Sequence, residues 1–223
     1  MDLVLLSDFD GTITNLDTAF FLLDKFVEED WRIFNVQYRK GKITLEECIQ
    51  KQYSMFAVPK HLMLKELEKA VSFRSNFNKL IDYCRIQNIP FIIVSAGLDF
   101  VINHFLKQKG LANSIKVHSV KTTITENGIE LAFPKLLDRE STNFKDDLVI
   151  NYKKQGHRVI YIGDGPSDYQ AIKQADYRFS IKNSRLAELC RKNRIAHQEI
   201  DDFQEVIDAL KLTSYRLERC ESL

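Results

Sequence analysis

With 223 residues, 44% of them apolar and 28% charged, the chain has the make-up of one large globular domain, or of a domain carrying a smaller insert. Its 32 basic and 31 acidic residues leave a formal charge of +1, so no overall basic excess argues for a nucleic-acid or membrane partner. No apolar run reaches the roughly 18 residues of a membrane-spanning helix, the N-terminus lacks a secretory pattern, and Cys48, Cys84, Cys190 and Cys220 form no C-x-x-C pair, so a reduced, cytoplasmic chain without zinc is expected.

The first element is the apolar run Leu3 to Leu6, which leads straight into Ser7-Asp8-Phe9-Asp10-Gly11-Thr12. It reads as a buried strand ending at a turn. From residue 15 to residue 74 the character is helical. "TAFFLLDKFVEEDWRIF" has apolar residues at helical spacing, "ITLEECIQKQYSMF" opens with a Thr44–Glu47 capping box, and "PKHLMLKELEKAV" carries apolar residues at 62, 64, 67 and 71 behind Pro59. This block contains no credible strand.

Strands and helices alternate after Phe73. "NFNKLIDYCRIQN" reads as a helix, "IPFIIVSAG" as a buried strand, and "LDFVINHFLKQKG" as a helix stopped at Gly110. "SIKVHSVKTTIT" and "IELAF" read as strands joined at Asn127-Gly128, a hairpin signal. Then come a helix in "NFKDDLVINYKKQG", a strand in "HRVIYIGDG", a helix in "SDYQAIKQA" and a strand in "DYRFSI". The end, "SRLAELCRKN" and "FQEVIDALK", is helical. Such alternation predicts an α/β fold, a parallel sheet with helices on both faces. The helical block interrupts it directly after the first strand. The expected domains are therefore a core of residues 1–14 and 75–223 and an inserted helical cap of residues 15–74.

In open α/β sheets, ligands bind beyond the carboxyl ends of the strands. Three predicted strands end in polar, small-residue turns: "LVLLSDFDG", "PFIIVSAG" and "RVIYIGDGPSD". Strand alternation would point Asp8 and Asp10 the same way. Asp164 and Asp168 can join them from a parallel strand. Four carboxylates so placed repel unless cations neutralise them, and oxygen-only ligands favour Mg²⁺. Lys145 supplies a second positive charge. Ser95, Ala96 and Gly97 offer a hydroxyl and backbone N–H groups at a helix start, an anion site. Together these suit phosphoryl transfer through an aspartyl-phosphate.

"DFDGT", "VSAG", "FKDDL" and "GDGPSD", in that order, resemble the four motifs of the haloacid dehalogenase superfamily phosphatases. The resemblance covers nearly the whole core and implies a three-layer, Rossmann-like α/β/α architecture with a helical cap after the first motif. It implies that Asp8 is the nucleophile and Asp10 the general acid and base. It implies that Ser95 hydrogen-bonds the phosphoryl group and Lys145 holds nucleophile and phosphate together. Asp8, Asp164 and the backbone carbonyl of Asp10 would ligate Mg²⁺, with Asp168 in support. The implied substrate and phosphate set adds Gly11, Asp17, Ala96, Gly97 and Ser167. The substrate would be a small phosphorylated metabolite.

Within the family the cap resembles that of phosphoserine phosphatases and their relatives. "DFDGTITNLDT", "EEDW", "ITLEECIQKQYSMF" and "FIIVSAGLDFVI" are most similar to phosphatases of a methionine-salvage keto-enol phosphate. Two stretches depart from these patterns. "FPKLLDRESTNF" lacks the cysteines of the latter group, and Ser167 stands where phosphoserine phosphatases usually have Asn. Asp17 reads equally as a helix N-cap or as a pocket carboxylate. Arg74 is the cation available for a substrate carboxylate, although a surface or hinge role suits it better. Lys135, Lys153 and Lys154 compete with Lys145. Trp31, Phe34, Tyr53, Met55 and Phe56 read mostly as cap core. A phosphotransferase, a phosphonatase and a non-catalytic binding protein on the same scaffold are the alternatives. A dehalogenase is disfavoured by Asp10.

Overall fold

The computed structural model describes residues 2–125 and 128–221, with side chains described as far as Leu212. Strand β1 (Leu3–Ser7) is followed by helices α1 (Thr18–Phe26), α2 (Arg32–Arg39), α3 (Leu45–Tyr53) and α4 (Lys60–Ala70). Alternation then sets in with α5 (Phe77–Ile86), β2 (Phe91–Ser95), α6 (Asp99–Gln108) and β3 (Lys116–Ser119). An antiparallel pair, β4 (Lys121–Thr125) and β5 (Gly128–Ala132), precedes α7 (Phe144–Lys154) and β6 (Arg158–Gly163). A 3-10 turn at Pro166–Asp168 leads into α8 (Tyr169–Gln174), β7 (Tyr177–Ile181), α9 (Arg185–Lys192), β8 (Gln198–Ile200) and α10 (Phe203–Glu221).

Among the described residues the main sheet has six parallel strands in the order β3-β2-β1-β6-β7-β8. Its central strands are buried on both faces, as parallel strands covered by helices must be. Alternation sends successive residues into two separate cores. Leu5, Ile93, Ile160 and Ile162 join one with α5, α6 and α10. Val4, Leu6, Val94 and Tyr161 join the other with α7, α8 and α9. This is the three-layer arrangement expected from the sequence. The helices α1, α3 and α4 join the first core through Leu22, Ile49 and Met63, and α2 packs Tyr38 against it.

The chain winds outward from β1 in both directions, so β1 lies between β2 and β6. Ser7 stands opposite Ile93 on one side and Ile162 on the other. The carboxyl ends of these three strands therefore converge, the usual ligand position in such sheets. The insert hangs from the same place. Thr14 bridges Phe73, Asn15 N–H donates to the Ser72 carbonyl at 2.9 Å, and Arg74 N–H donates to the Ile13 carbonyl at 2.8 Å. Its entry and exit thus run side by side.

Some expectations change. The stretch "TAFFLLDKFVEEDWRIF" divides into α1 and the start of α2. The backbone leaves α1 extended at Val27, and Trp31 folds back to stack on Phe20 at 4.8 Å and donate to Asp24 at 2.9 Å. On α4, Met63 and Leu67 face the core, while Leu62 is 40% exposed. The three-residue β8 is too short to leave a periodicity. The predicted hairpin strands pair with Thr125 opposite Gly128, and Asn127 lies outside the described residues.

The Thr44–Glu47 capping box forms as expected: Glu47 N–H donates to Thr44 Oγ1 at 3.1 Å, and Thr44 N–H donates back to Glu47 at 2.8 Å. Thr44→Ala should lower stability by about 1 kcal/mol, read as a lower urea midpoint at unchanged slope, and Thr44→Ser should restore most of it.

Candidate active site

The ladder of β1 continues one residue past the strand, with Asp8 N–H donating to the Ile162 carbonyl at 2.9 Å. The chain then turns back on itself, Ile13 and Thr14 N–H both donating to the Phe9 carbonyl at 2.9 and 3.0 Å. Gly11 takes a left-handed φ of +71° in this turn. Asp8 and Asp10 therefore reach the same cavity by way of a turn, not by strand alternation. Their surroundings differ accordingly. Asp8 Oδ1 accepts from Phe9 N–H at 2.7 Å and Oδ2 from Lys145 Nζ at 2.7 Å. Asp10 has other partners. Its Oδ1 accepts from the Thr18 N–H at 3.2 Å and from the Thr18 hydroxyl, and its Oδ2 from Ser95 Oγ at 3.4 Å.

Lys145 is 1% exposed at the first turn of α7. That turn is fixed by a second capping box. Lys145 N–H donates to Asn143 Oδ1, and Asn143 N–H to Asp146 Oδ1, both at 2.8 Å. Asp147 gathers the preceding loop, accepting from Leu137 N–H, Asp138 N–H and Ser141 Oγ. With its neighbours so occupied, Lys145 Nζ donates to Asp8 at 2.7 Å, Asp168 at 2.7 Å and Ser167 Oγ at 3.2 Å. The competing Lys153 and Lys154 point outward to Asp176 and Asp138, and Lys135 is exposed.

Asp168 is fully buried and filled by four donors: Lys145 Nζ, Tyr161 Oη, and the N–H groups of Asp164 and Gly165. Asp164 accepts from Thr12 Oγ1 at 2.9 Å. Oxygens of Asp8, Asp164 and Asp168 lie within 4.8 Å of one another. Burial pushes Asp8 well above the usual carboxylate range; the Asp168 charge adds to this and Lys145 opposes it. Burial, then Asp168, push Asp164 up to about 7. Burial alone would lower Lys145, but Asp168 and Asp8 more than offset it and raise it. Carboxylates thus outnumber the single buried ammonium, and the donors are all oxygen. That surplus fits a hard divalent cation.

Asp8, Asp10, Lys145 and Asp164 line a cavity of about 450 Å³ between the sheet and the insert. Asp17 caps α1, accepting from Phe20 N–H at 2.8 Å, and it also lines the cavity. Ser95, Ala96, Gly97 and Ser167 line it too. The Ala96 carbonyl accepts from Tyr53 on the insert at 3.4 Å. Gly97 is constrained, because a Cβ there would stand 2.0 Å from Asp10 Oδ2. Gly11 is equally tight against Asp164. Arg74 is turned to the motif backbone and donates to the Thr12 and Gly11 carbonyls, both at 2.9 Å, which leaves it a structural brace. Besides Lys145, the cations lining the cavity are Arg32, Arg39 and Arg185. Thr12, Thr18 and Tyr161, unremarked in the sequence, each hold a motif carboxylate. Only their tertiary partners mark them out. A second recess of about 600 Å³, between α4, α6 and β4, holds none of the motif residues.

The family model for haloacid dehalogenase-like hydrolases matches residues 5–173. The chain belongs to this family. A protein of Brevibacillus brevis named 2-hydroxy-3-keto-5-methylthiopentenyl-1-phosphate phosphatase is 29% identical over 94% of this chain and 95% of its own. One of the same name from Geobacillus kaustophilus is 27% identical over 94% and 96%. Among solved structures, a phospho-aspartyl intermediate analogue of phosphoserine phosphatase matches with a TM-score of 0.68 at 18% identity, covering 93% of this chain and 98% of that one. Phosphoserine phosphatase from T. onnurineus matches with a TM-score of 0.69 at 14% identity, covering 95% of each. This haloacid dehalogenase-like hydrolase is an enzyme of the phosphatase type. Among its described residues, no helix is long and apolar enough to cross a membrane.

Removing the central cation should expose the surplus of buried carboxylates. In metal-free buffer Lys145→Ala should lose about 3–5 kcal/mol of stability by urea unfolding. Lys153→Ala and Lys154→Ala should unfold close to the parent protein.

Proposed function

We propose that this hydrolase cleaves a small phosphomonoester through an aspartyl-phosphate on Asp8, with Mg²⁺ as cofactor and residues 15–74 as the cap over the site. The observation that carries this reading is the division of the two opening carboxyls. Asp8 is paired with a buried ammonium, while Asp10 stands apart on a hydroxyl and a helix N–H. Two carboxyls in different environments take different parts in a reaction.

The phosphoryl group would lie between Asp8 Oδ2 and a cradle of Ser95 Oγ, the Ala96 and Gly97 N–H groups and Lys145 Nζ. Asp8 attacks phosphorus; the P–O bond to the leaving group breaks, and the departing alkoxide takes a proton from Asp10. Burial raises the Asp10 pKa, against the Thr18 hydrogen bonds, which favours a proton on it to give. Asp10 then takes a proton from water as that water attacks the aspartyl-phosphate, releasing inorganic phosphate and restoring Asp8. Lys145 holds the Asp8 carboxylate and faces the charge that builds on the phosphoryl oxygens. Asp8, Asp164 and the Asp10 carbonyl would hold the metal, with Asp168 steadying Lys145. When bound, Mg²⁺ supplies positive charge to the phosphoryl oxygens.

Phosphate release from a small alkyl or aryl phosphate should require Mg²⁺ and stop in EDTA. Asp8→Asn should form no phosphoenzyme and keep no more than a trace of turnover. Asp10→Asn should lower the rate by about 10²–10⁴. Full turnover in EDTA, or an active Asp8→Asn enzyme, would overturn the mechanism.

For the substrate we propose a keto-enol phosphate of the kind named for the curated relatives. The insert wall of Trp31, Leu45 and Ile49 suits a partly apolar leaving group. A second reading, phosphoserine, is favoured by Asp17 together with Arg39 and Arg185 on the same cavity, which could take an ammonium and a carboxylate. In competition assays the keto-enol phosphate should have the higher kcat/KM. A value for phosphoserine more than about tenfold above every ketose phosphate tested would reverse the assignment.

A further inference from the structure

The insert adds polar atoms to the cavity that phosphoryl transfer leaves unused. Asn35 on α2 and Gln52 on α3 both line it. Gln52 is only 3% exposed, on a wall where Trp31, Leu45 and Ile49 stand beside Tyr38 and Arg39. A buried amide in such a place needs its hydrogen bonds, so each can be traced. Gln52 Nε2 donates to Asn35 Oδ1 at 3.1 Å, and Cys48 Sγ donates to the same oxygen at 3.5 Å. These bonds fix Asn35 and fill its acceptor.

Two atoms remain. Neither Asn35 Nδ2 nor Gln52 Oε1 has a protein partner among the described residues. Turning both amides over exchanges which residue holds the free donor and which the free acceptor, and leaves the pair's inventory the same. A purely structural role, tying α2 to α3, explains the bond between the amides. It does not explain a spare donor and a spare acceptor on the wall of the reactive cavity.

We infer that Asn35 and Gln52 form a subsite for the leaving group and select phosphomonoesters that carry neighbouring carbonyl and hydroxyl oxygens, the ketose-phosphate class. This rests on the phosphatase reading above, because it concerns the leaving group of that reaction. A phosphoryl group at Asp8 sets the rest of the substrate against the insert. A carbonyl there only accepts and takes the amide N–H; a hydroxyl donates to the amide oxygen. A plain alkyl chain would leave both amide atoms buried and unpaired, and a site built for hydrogen bonding rejects such an analogue strongly.

The test compares D-xylulose 5-phosphate with n-pentyl phosphate, five-carbon phosphomonoesters with and without those oxygens. The parent enzyme with Mg²⁺ should prefer the ketose phosphate by at least about tenfold in kcat/KM, as expected for even one hydrogen bond to a buried partner. Asn35→Leu and Gln52→Met should each reduce that ratio several-fold, with the change in KM for the ketose phosphate. Asn35→Asp keeps the shape and the acceptor for Gln52, removes the spare donor, and should also reduce it. A ratio unchanged in all three variants, an equal fall for both substrates, or a parent enzyme that prefers n-pentyl phosphate would overturn the subsite. A parent enzyme that turns over neither compound nor any aryl phosphate would overturn the phosphatase reading, and the subsite with it.

Discussion

Lys145 is the interaction on which the rest of the site depends. It is 1% exposed, between Asp8 and Asp168 at 2.7 Å each. A lone ammonium at that depth would shed its proton. The Asp168 and Asp8 carboxyls beside it offset that burial and keep the ammonium charged. A buried ion pair of this kind adds little net stability, because desolvation cancels most of the attraction. What it provides is position. Tyr161 and two backbone N–H groups fix Asp168, Asp168 fixes Lys145, and Lys145 fixes Asp8. The Asp8 carboxyl is thus set by a chain of contacts that starts in the 3-10 turn after β6.

The sheet order makes that chain short, and glycines make room for it. Three motif carboxyls each rest against a glycine. A Cβ on Gly97 would meet Asp10 Oδ2 at 2.0 Å, one on Gly11 would meet Asp164 Oδ2 at 2.5 Å, and one on Gly163 would meet the Asp168 carboxyl carbon at 2.6 Å. Two of these contacts join different strand ends. The carboxylates converge because the backbone opposite them carries no side chain, so the glycines of "DFDG", "SAG" and "IGDG" are as much a part of the site as the acids. Gly11 carries the further demand of a left-handed φ.

Much of this was legible in the sequence because parallel strands are continuous apolar runs and their ends are abrupt. "LVLLSDFDG" and "RVIYIGDG" announce both the strand and the chemistry at its tip. The capping boxes at Thr44 and Asn143 depend on near neighbours; the one at Thr44 was read directly. What escaped notice depends on distant partners. Thr12 meets Asp164 across 152 positions, and Arg74 reaches Gly11 across 63. No local period records such pairings. The alternation argument for Asp8 and Asp10 put both in one cavity, but it assumed strand geometry where Gly11 forces a turn. Arg74, weighed as a cation for a carboxylate but read more readily as a surface or hinge group, has its guanidinium occupied by backbone carbonyls, while Arg39 and Arg185 are brought to the cavity by the folding of α2 and α9.

The inserted helices are hydrogen-bonded to the Asp10 carboxyl as well as lining the cavity. Asp10 accepts from Thr18 N–H, one of the N–H groups that a helix start leaves free of intrahelical partners. The positive end of α1 therefore faces the Asp10 carboxyl, and Asp17 on the same turn competes for it from the other side. Tyr53 at the end of α3 reaches the Ala96 carbonyl, in the loop that also positions Ser95. A movement of the insert would thus change the hydrogen bonds of Asp10 and shift the loop beside it. On the proposed mechanism, the group that would handle the proton and the helices that would contact the leaving group are joined by these bonds. Leaving-group selection and proton transfer would then be coupled through the first turn of α1.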